Sequence, residues 1–218
     1  MDNNLTMLKS PTLSKNHNIP WHMVAGAGLG LVLAALVIWG VLTFLTPYQF
    51  HGMTLQSTEP AKNFTLTDPM GKRVSLTDFR GQFVMLYFGY TTCPDVCPTT
   101  LAVLHTARKL LGRNADQLQV IMITVDPERD TPTLLAEYVT HFDSSFMALT
   151  GTPDEIAQVA SMYGVFFERA PEESAMGYLV NHTATVMLVD ASGKLRAIFP
   201  FGAKAEEIAS DLQYLMKR

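Results

Sequence analysis

Cys93 and Cys97 are the only thiols in the 218-residue sequence, and they stand four positions apart in Thr-Thr-Cys-Pro-Asp-Val-Cys-Pro (91–98). A disulfide scaffold needs more cysteines, spread more widely. Two close cysteines in so long a chain point to metal binding or redox chemistry. Pro98 lacks an N–H and fits best in the first turn of a helix, which places Cys97 at or near a helix N-cap and Cys93 in the preceding loop. A helix N-terminus favours thiolate, so both sulphurs can face one ligand. Structural zinc takes four ligands, mostly Cys and His, whereas two thiolates and one imidazole suit copper, whose monovalent form prefers soft ligands. Three ligands also leave a position open for transfer to a partner.

The imidazole has to come from one of six histidines. His105 lies eight residues past Cys97, about 12 Å along a helix at 1.5 Å per residue, too far to share an ion. His141 falls near a helix C-terminus, where it complements the dipole. His17, His22 and His51 flank a long apolar run. His182 is left, and its case depends on the elements that would carry it.

Those elements alternate. Asn63–Thr67 and Arg73–Ser75 read as a hairpin around Pro69-Met70-Gly71. Phe83–Tyr90 and Leu118–Val125 are near-continuous apolar runs, as buried parallel strands should be. Helices are expected at Pro98–Leu111, at Thr131–Phe142 with Thr131 as N-cap and Pro132 at the first position, at Asp154–Tyr163 and at Lys204–Met216. Thr185–Val189 and Leu195–Phe199 make a hairpin across Asp190-Ala191-Ser192-Gly193. The predicted fold class is α/β, thioredoxin-like: a central mixed sheet flanked by helices. Open α/β sheets bind ligands beyond their strand carboxyl ends. The first two long strands end at one edge, with the cysteine segment and Asp126-Pro127-Glu128-Arg129-Asp130, and the antiparallel third strand begins there, just after Asn181-His182-Thr183. Cys93, Cys97 and His182 therefore converge. Asp95 and Asp126 are candidates to orient His182 or guide a partner. Their plainer roles are a favourable charge at a helix N-terminus for Asp95 and a turn or cap for Asp126. Met122, Met147, Met162 and Met187 fall on apolar faces as core filler.

Hydrophobic residues make up 48% and charged residues 17%, which directs attention to the N-terminal part. Val24–Thr46 carries no charge, and a spanning helix needs roughly 20 apolar residues. One transmembrane helix is expected at 23–46, with Trp21 and Tyr48 in the two aromatic belts. Lys9 and Lys15 precede it and the first positive residue after it is Lys62, so the positive-inside rule puts residues 1–22 in the cytoplasm. The expected arrangement is a single-pass anchor in a bacterial inner membrane, a linker over 47–60 and a periplasmic domain over 61–218. Gly26 and Gly30 form a G-x-x-x-G pair, a weak signal in a Gly/Ala-rich helix. Net charge is −4 with no basic patch, so no nucleic-acid partner is expected.

The stretch from about Ala61 to Met216 resembles the Sco/SenC family. The segments that carry the likeness are FGYTTCPDVCPTTL (Phe88–Leu101), VDPERDTP (Val125–Pro132) and GYLVNHTATVMLVD (Gly177–Asp190). The resemblance implies a thioredoxin-like fold with a C-x-x-x-C pair and a distant His as copper ligands, which fall on Cys93, Cys97 and His182, and one membrane anchor. It implies a role in assembling the dinuclear CuA centre of cytochrome c oxidase, by copper delivery, thiol reduction or both. The implied cargo is a copper ion, Cu(I) with Cu(II) as an alternative state. The implied partners are the oxidase's copper-bearing subunit and other periplasmic copper carriers or thioredoxin-like reductants. Many members carry Asp before the ligand His; Asn181 stands here, keeping a hydrogen-bond acceptor without the charge.

The competing function is a thiol–disulfide oxidoreductase using Cys93 and Cys97 as a redox pair. A general one would carry C-x-x-C and a proline before the third strand, and Asn181–Thr185 has none. A peroxiredoxin-type peroxidase fits less well, because that family's upstream Pro and Thr fall on Leu86 and Tyr90.

Overall fold

The computed structural model describes residues 21–45, 47–55, 59–174 and 177–217. Of the expected cytoplasmic stretch 1–22, residues 1–20, with Lys9, Lys15 and His17, lie outside the described residues. The chain divides into two units, Met1–Tyr48 and Gln49–Arg218. In the first, helix α1 runs Trp21–Leu45, 25 residues without an acidic or basic group in its end turns. Side chains at 21–25, 27–30 and 44 are outside the description. Among the described residues no helix is long and apolar enough to cross a membrane.

The second unit is built on a six-stranded mixed sheet in the order β1-β10-β9-β4-β5-β6. Its centre is β4 (Phe83–Gly89), buried at every position, paired in parallel with β5 (Leu118–Thr124) and antiparallel with β9 (Val186–Val189). Burial on both faces is why these runs are continuously apolar rather than alternating. β10 (Leu195–Phe199) follows β9 through the expected turn, closed by Gly193 at φ +77°. The hairpin of β2 (Thr65–Thr67) and β3 (Arg73–Ser75) stands apart as a two-stranded sheet.

The helices form where caps and apolar faces coincide. α3 (Pro132–Phe142) starts on Thr131, whose hydroxyl accepts from Leu134 N, with Pro132 at the first position. α4 (Pro153–Met162) starts on a Thr152/Glu155 capping box. α5 (Ala205–Leu215) buries Ile208, Ala209 and Leu212. α2 (Val96–Leu110) buries Cys97, Leu101, Leu104 and Ala107, one stripe at helical spacing.

Four features differ from the sequence expectation. α2 begins two residues early, with Asp95 as N-cap and Cys97 as its second residue. A proline is tolerated anywhere in a first turn whose N–H groups have no intrahelical partner, so Pro98 does not mark the start. β6 (Met147–Leu149) extends the sheet in parallel beyond β5; three residues are too few to show a period. β1 (Met53–Thr54) pairs with β10 inside the stretch expected as a linker. Finally, β7 (Phe167–Ser174) and β8 (Gly177–His182) pair antiparallel as a separate two-stranded sheet.

Candidate metal centre

The end of β4 carries the cysteine loop to the sheet edge. Asp130, 1% exposed, fastens that loop from the end of β5. Its carboxylate accepts from Thr91 N at 3.2 Å and from the hydroxyls of Thr91 and Thr124 at 2.5 and 2.6 Å. Burial pushes this carboxyl above its usual range, with the threonine donors opposing. Cys93 N donates to Tyr90 O at 3.4 Å, closing the turn that leads into α2.

His182 arrives from a different direction. It is the last residue of β8, opposite Phe167. Tyr90, from the end of β4, accepts from Val180 N at 3.1 Å and so ties β8 to the loop. Asp126, 4% exposed, accepts from Tyr178 Oη at 2.7 Å and from Arg129 Nε. Arg129 also donates to Tyr178 O at 2.8 Å and stacks on the Tyr178 ring at 3.7 Å. Asp126 thus holds the hairpin that delivers the histidine; its hydrogen bonds go to Tyr178 and Arg129 and not to His182. Asp95 caps α2 without a side-chain cap bond and receives Thr99 Oγ1 at 3.4 Å. Asp95 and the exposed Asn181 line, with Tyr90, Cys93, Leu179 and His182, an open cleft of about 240 Å³.

Within this frame Cys93 Sγ, Cys97 Sγ and the His182 ring nitrogen lie within 4.8 Å of one another. Cys97 Sγ and His182 Nε2 are 3.4 Å apart. Donors sharing one ion through bonds of about 2.0–2.3 Å can stand at most about 4.6 Å apart, so a small closing movement brings all three onto one ion. His182 Nδ1 is 3.3 Å from Thr183 O. When Nε2 binds a metal, the ring proton sits on Nδ1, where it faces that carbonyl. The rings of Tyr87 and Tyr90 meet the imidazole edge to face at 6.2 and 5.8 Å, which fixes its plane.

The two sulphurs are not equivalent. Cys97 is fully buried and Cys93 half-buried. The neighbouring Cys97 sulphur, with His182 and the backbone N–H groups of Asp95 and Cys97 and against partial burial, lowers Cys93 to about 3. The same interaction, with burial, pushes Cys97 far up. Cys93 is therefore the readier thiolate of the two. Gly89 makes room for this: a methyl group there would lie 3.0 Å from Cys97 Sγ and 2.7 Å from the Tyr87 ring.

Sequence reasoning missed Gly89, Asp130, Tyr87, Tyr90 and the Arg129–Tyr178 stack. The runs FGY and VDPERD name most of them, but their partners sit up to 90 positions away.

Fold and site together define a class: a thioredoxin-like domain presenting two thiols and one imidazole at the sheet edge, a donor set suited to soft metal ions. The fold assignment is supported by likeness to the thioredoxin domain of a thiol-disulfide oxidoreductase from Bacteroides vulgatus (TM-score 0.53, 18% identity, 73% of this chain and 97% of that one). The chain belongs to the SCO1/SenC family, whose pattern matches residues 53–217. It is 34% identical over 199 residues to the mitochondrial protein SCO2 homolog of Bos taurus, covering 87% of this chain and 71% of that protein. It is 38% identical to the structure of Bradyrhizobium japonicum ScoI with copper bound, with a TM-score of 0.65 over 72% of this chain and 99% of that one. A third structure, BsSco, is described as a member of the Sco family of cytochrome c oxidase assembly proteins in which a disulfide switch was identified (26% identity, TM-score 0.56, 75% and 99% covered).

Proposed function

We propose that the protein takes up a copper ion on Cys93, Cys97 and His182 and passes it to the copper-bearing subunit of cytochrome c oxidase during assembly of the CuA centre. The observation that carries this is the convergence of three soft or borderline donors from two distant segments within 4.8 Å. Copper is cargo here. Two thiolates hold Cu(I), the imidazole completes a three-coordinate set, and the cleft beside Cys93 leaves the ion open to an incoming ligand. α1 serves as a single-pass anchor in a bacterial inner membrane, with the preceding residues cytoplasmic and the domain periplasmic. The support for this is the charge-free run Val24–Thr46 in the sequence, since a spanning helix needs roughly 20 apolar residues. Other periplasmic copper carriers supply the ion.

The test is Cu(I) titration of the reduced full chain in detergent, beside Cys93→Ser and His182→Ala. One equivalent bound by the parent and lost in both variants is the expected result. Unchanged affinity in His182→Ala would overturn the three-ligand centre.

A second reading is favoured by the asymmetry of the sulphurs. The accessible Cys93 thiolate attacks a disulfide on the oxidase subunit, and Cys97 then displaces the mixed disulfide. The Cys93 thiolate and the Cys97 thiol are oxidised to a disulfide, and the subunit's disulfide is reduced to one thiol, which takes the Cys97 proton, and one thiolate, which is protonated from water. Thioredoxin-like reductants would reset the pair. Accumulation of a mixed disulfide by Cys97→Ser with the subunit, in the absence of copper, would favour this reading over delivery.

A further inference from the structure

Tyr87 is fully buried in the central strand, and its hydroxyl makes no hydrogen bond among the described residues. An unsatisfied buried hydroxyl is costly and asks for an explanation. Its position supplies one. The hydroxyl-bearing end of the ring, Cε1 and Cζ, lies 2.7 and 3.3 Å from the point where a methyl on Gly89 would stand, and Cys97 Sγ lies 3.0 Å from the same point. The same ring meets His182 edge to face at 6.2 Å. The phenol is therefore wedged behind two of the three candidate ligands, on the side away from solvent.

We propose that Tyr87 is a positioning residue of the metal centre, whose O–H donates to Cys97 Sγ once that sulphur is a metal-bound thiolate and so limits the charge it gives to copper. A metal-bound thiolate is a strong acceptor for an O–H donor, and the Tyr87 hydroxyl is the unsatisfied donor packed beside this sulphur. The phenol carries a single O–H, so toward a thiolate it serves as the donor. Thr100 is the rival acceptor. Its hydroxyl already donates to Val96 O at 2.8 Å and has a lone pair to spare. Hydrogen bonding to a coordinating sulphur is one of the levers that set a copper site's potential, and this one comes from a side chain that binds no metal.

The inference rests on the copper reading above, and its test separates the two. The full chain in detergent is loaded with Cu(II), and its sulphur-to-copper charge-transfer band and Cu(II)/Cu(I) potential are recorded for the parent, Tyr87→Phe and Thr100→Val. The expected result is that Tyr87→Phe binds one equivalent, with the band moved to longer wavelength and the potential lowered, because the sulphur has lost a donor. Thr100→Val leaves both unchanged. A fluorotyrosine placed at 87, a stronger donor of nearly the same size, moves both the other way and serves if the Phe variant fails to fold. Copper bound by the Phe variant with an unmoved band and potential overturns the role of Tyr87 while leaving the centre standing, as does a shift confined to Thr100→Val. No copper bound by the parent overturns both.

Discussion

At the scale of single residues, the chemistry turns on how differently two sulphurs four positions apart are placed. Cys93 gathers the Cys97 thiol, His182 and two backbone N–H groups, and its pKa falls to about 3. Cys97 sits in the core and its pKa rises. A lowered value means thiolate at every pH above it. In the reduced, metal-free chain, iodoacetamide should therefore label Cys93 first, at a rate that stays on its plateau from neutral pH until the pH approaches about 3. Cys97 should label only on unfolding. Mass spectrometry of the labelled peptides measures this; a Cys93 rate that already falls below the ordinary thiol range near pH 8.5 would contradict it. The asymmetry also explains why Gly89 precedes the cysteine loop: a side chain there would collide with Cys97 Sγ and the Tyr87 ring.

At the scale of elements, the histidine is only as well placed as the β7–β8 hairpin that carries it. The hairpin is a separate two-stranded sheet, and an isolated pair of strands is marginal in water. It is held by Tyr90 on Val180 N and by Asp126 and Arg129 on Tyr178. Tyr178→Phe removes one donor to a buried carboxylate, at a cost of about 1–3 kcal/mol. Amides of β7 and β8 should exchange faster, and copper affinity should fall although no ligand has changed. Hydrogen exchange read by mass spectrometry checks this: unchanged protection at 177–182 would mean that Tyr178 does not fasten the hairpin.

At the scale of the whole second unit, the stretch before Ala61 belongs to the fold. β1 completes the sheet edge against β10, and the fully buried Asp211 of α5 accepts from His51 N at 3.0 Å, His51 Nδ1 at 3.0 Å and Gly52 N at 2.9 Å. Phe50 packs edge to face on Tyr214 at 5.4 Å. A chain starting at 61 should be less stable than one starting at 49. Loss of these donors from a buried carboxylate is worth about 3 kcal/mol, or roughly 6–12 °C in Tm for a unit of this size. Calorimetry of the two truncations decides it, and equal melting temperatures would make the segment dispensable.

The parts legible in the sequence are those encoded locally. The apolar runs of β4 and β5, the Thr131-Pro132 cap, the turn at Gly193 and the thiol pair beside a helix start each declare themselves within a few residues, because burial, capping and φ restriction act at short range. Strand direction also pointed to the meeting of Cys93, Cys97 and His182, since parallel β4 and β5 end and antiparallel β9 begins at one edge, but it is β8 and not β9 that carries the histidine. Other features depended on contacts between distant segments. β1 and β6 are too short to show a period and exist because a sheet edge offers them hydrogen bonds. The roles of Asp126 and Asp130 depend on which donors arrive from 52 and 39 positions away. The unequal acidity of the two thiols depends on their contact with each other and on burial. No local pattern of residue types encodes those quantities, because each is a distance or a solvent exposure that comes into being only when the chain has folded.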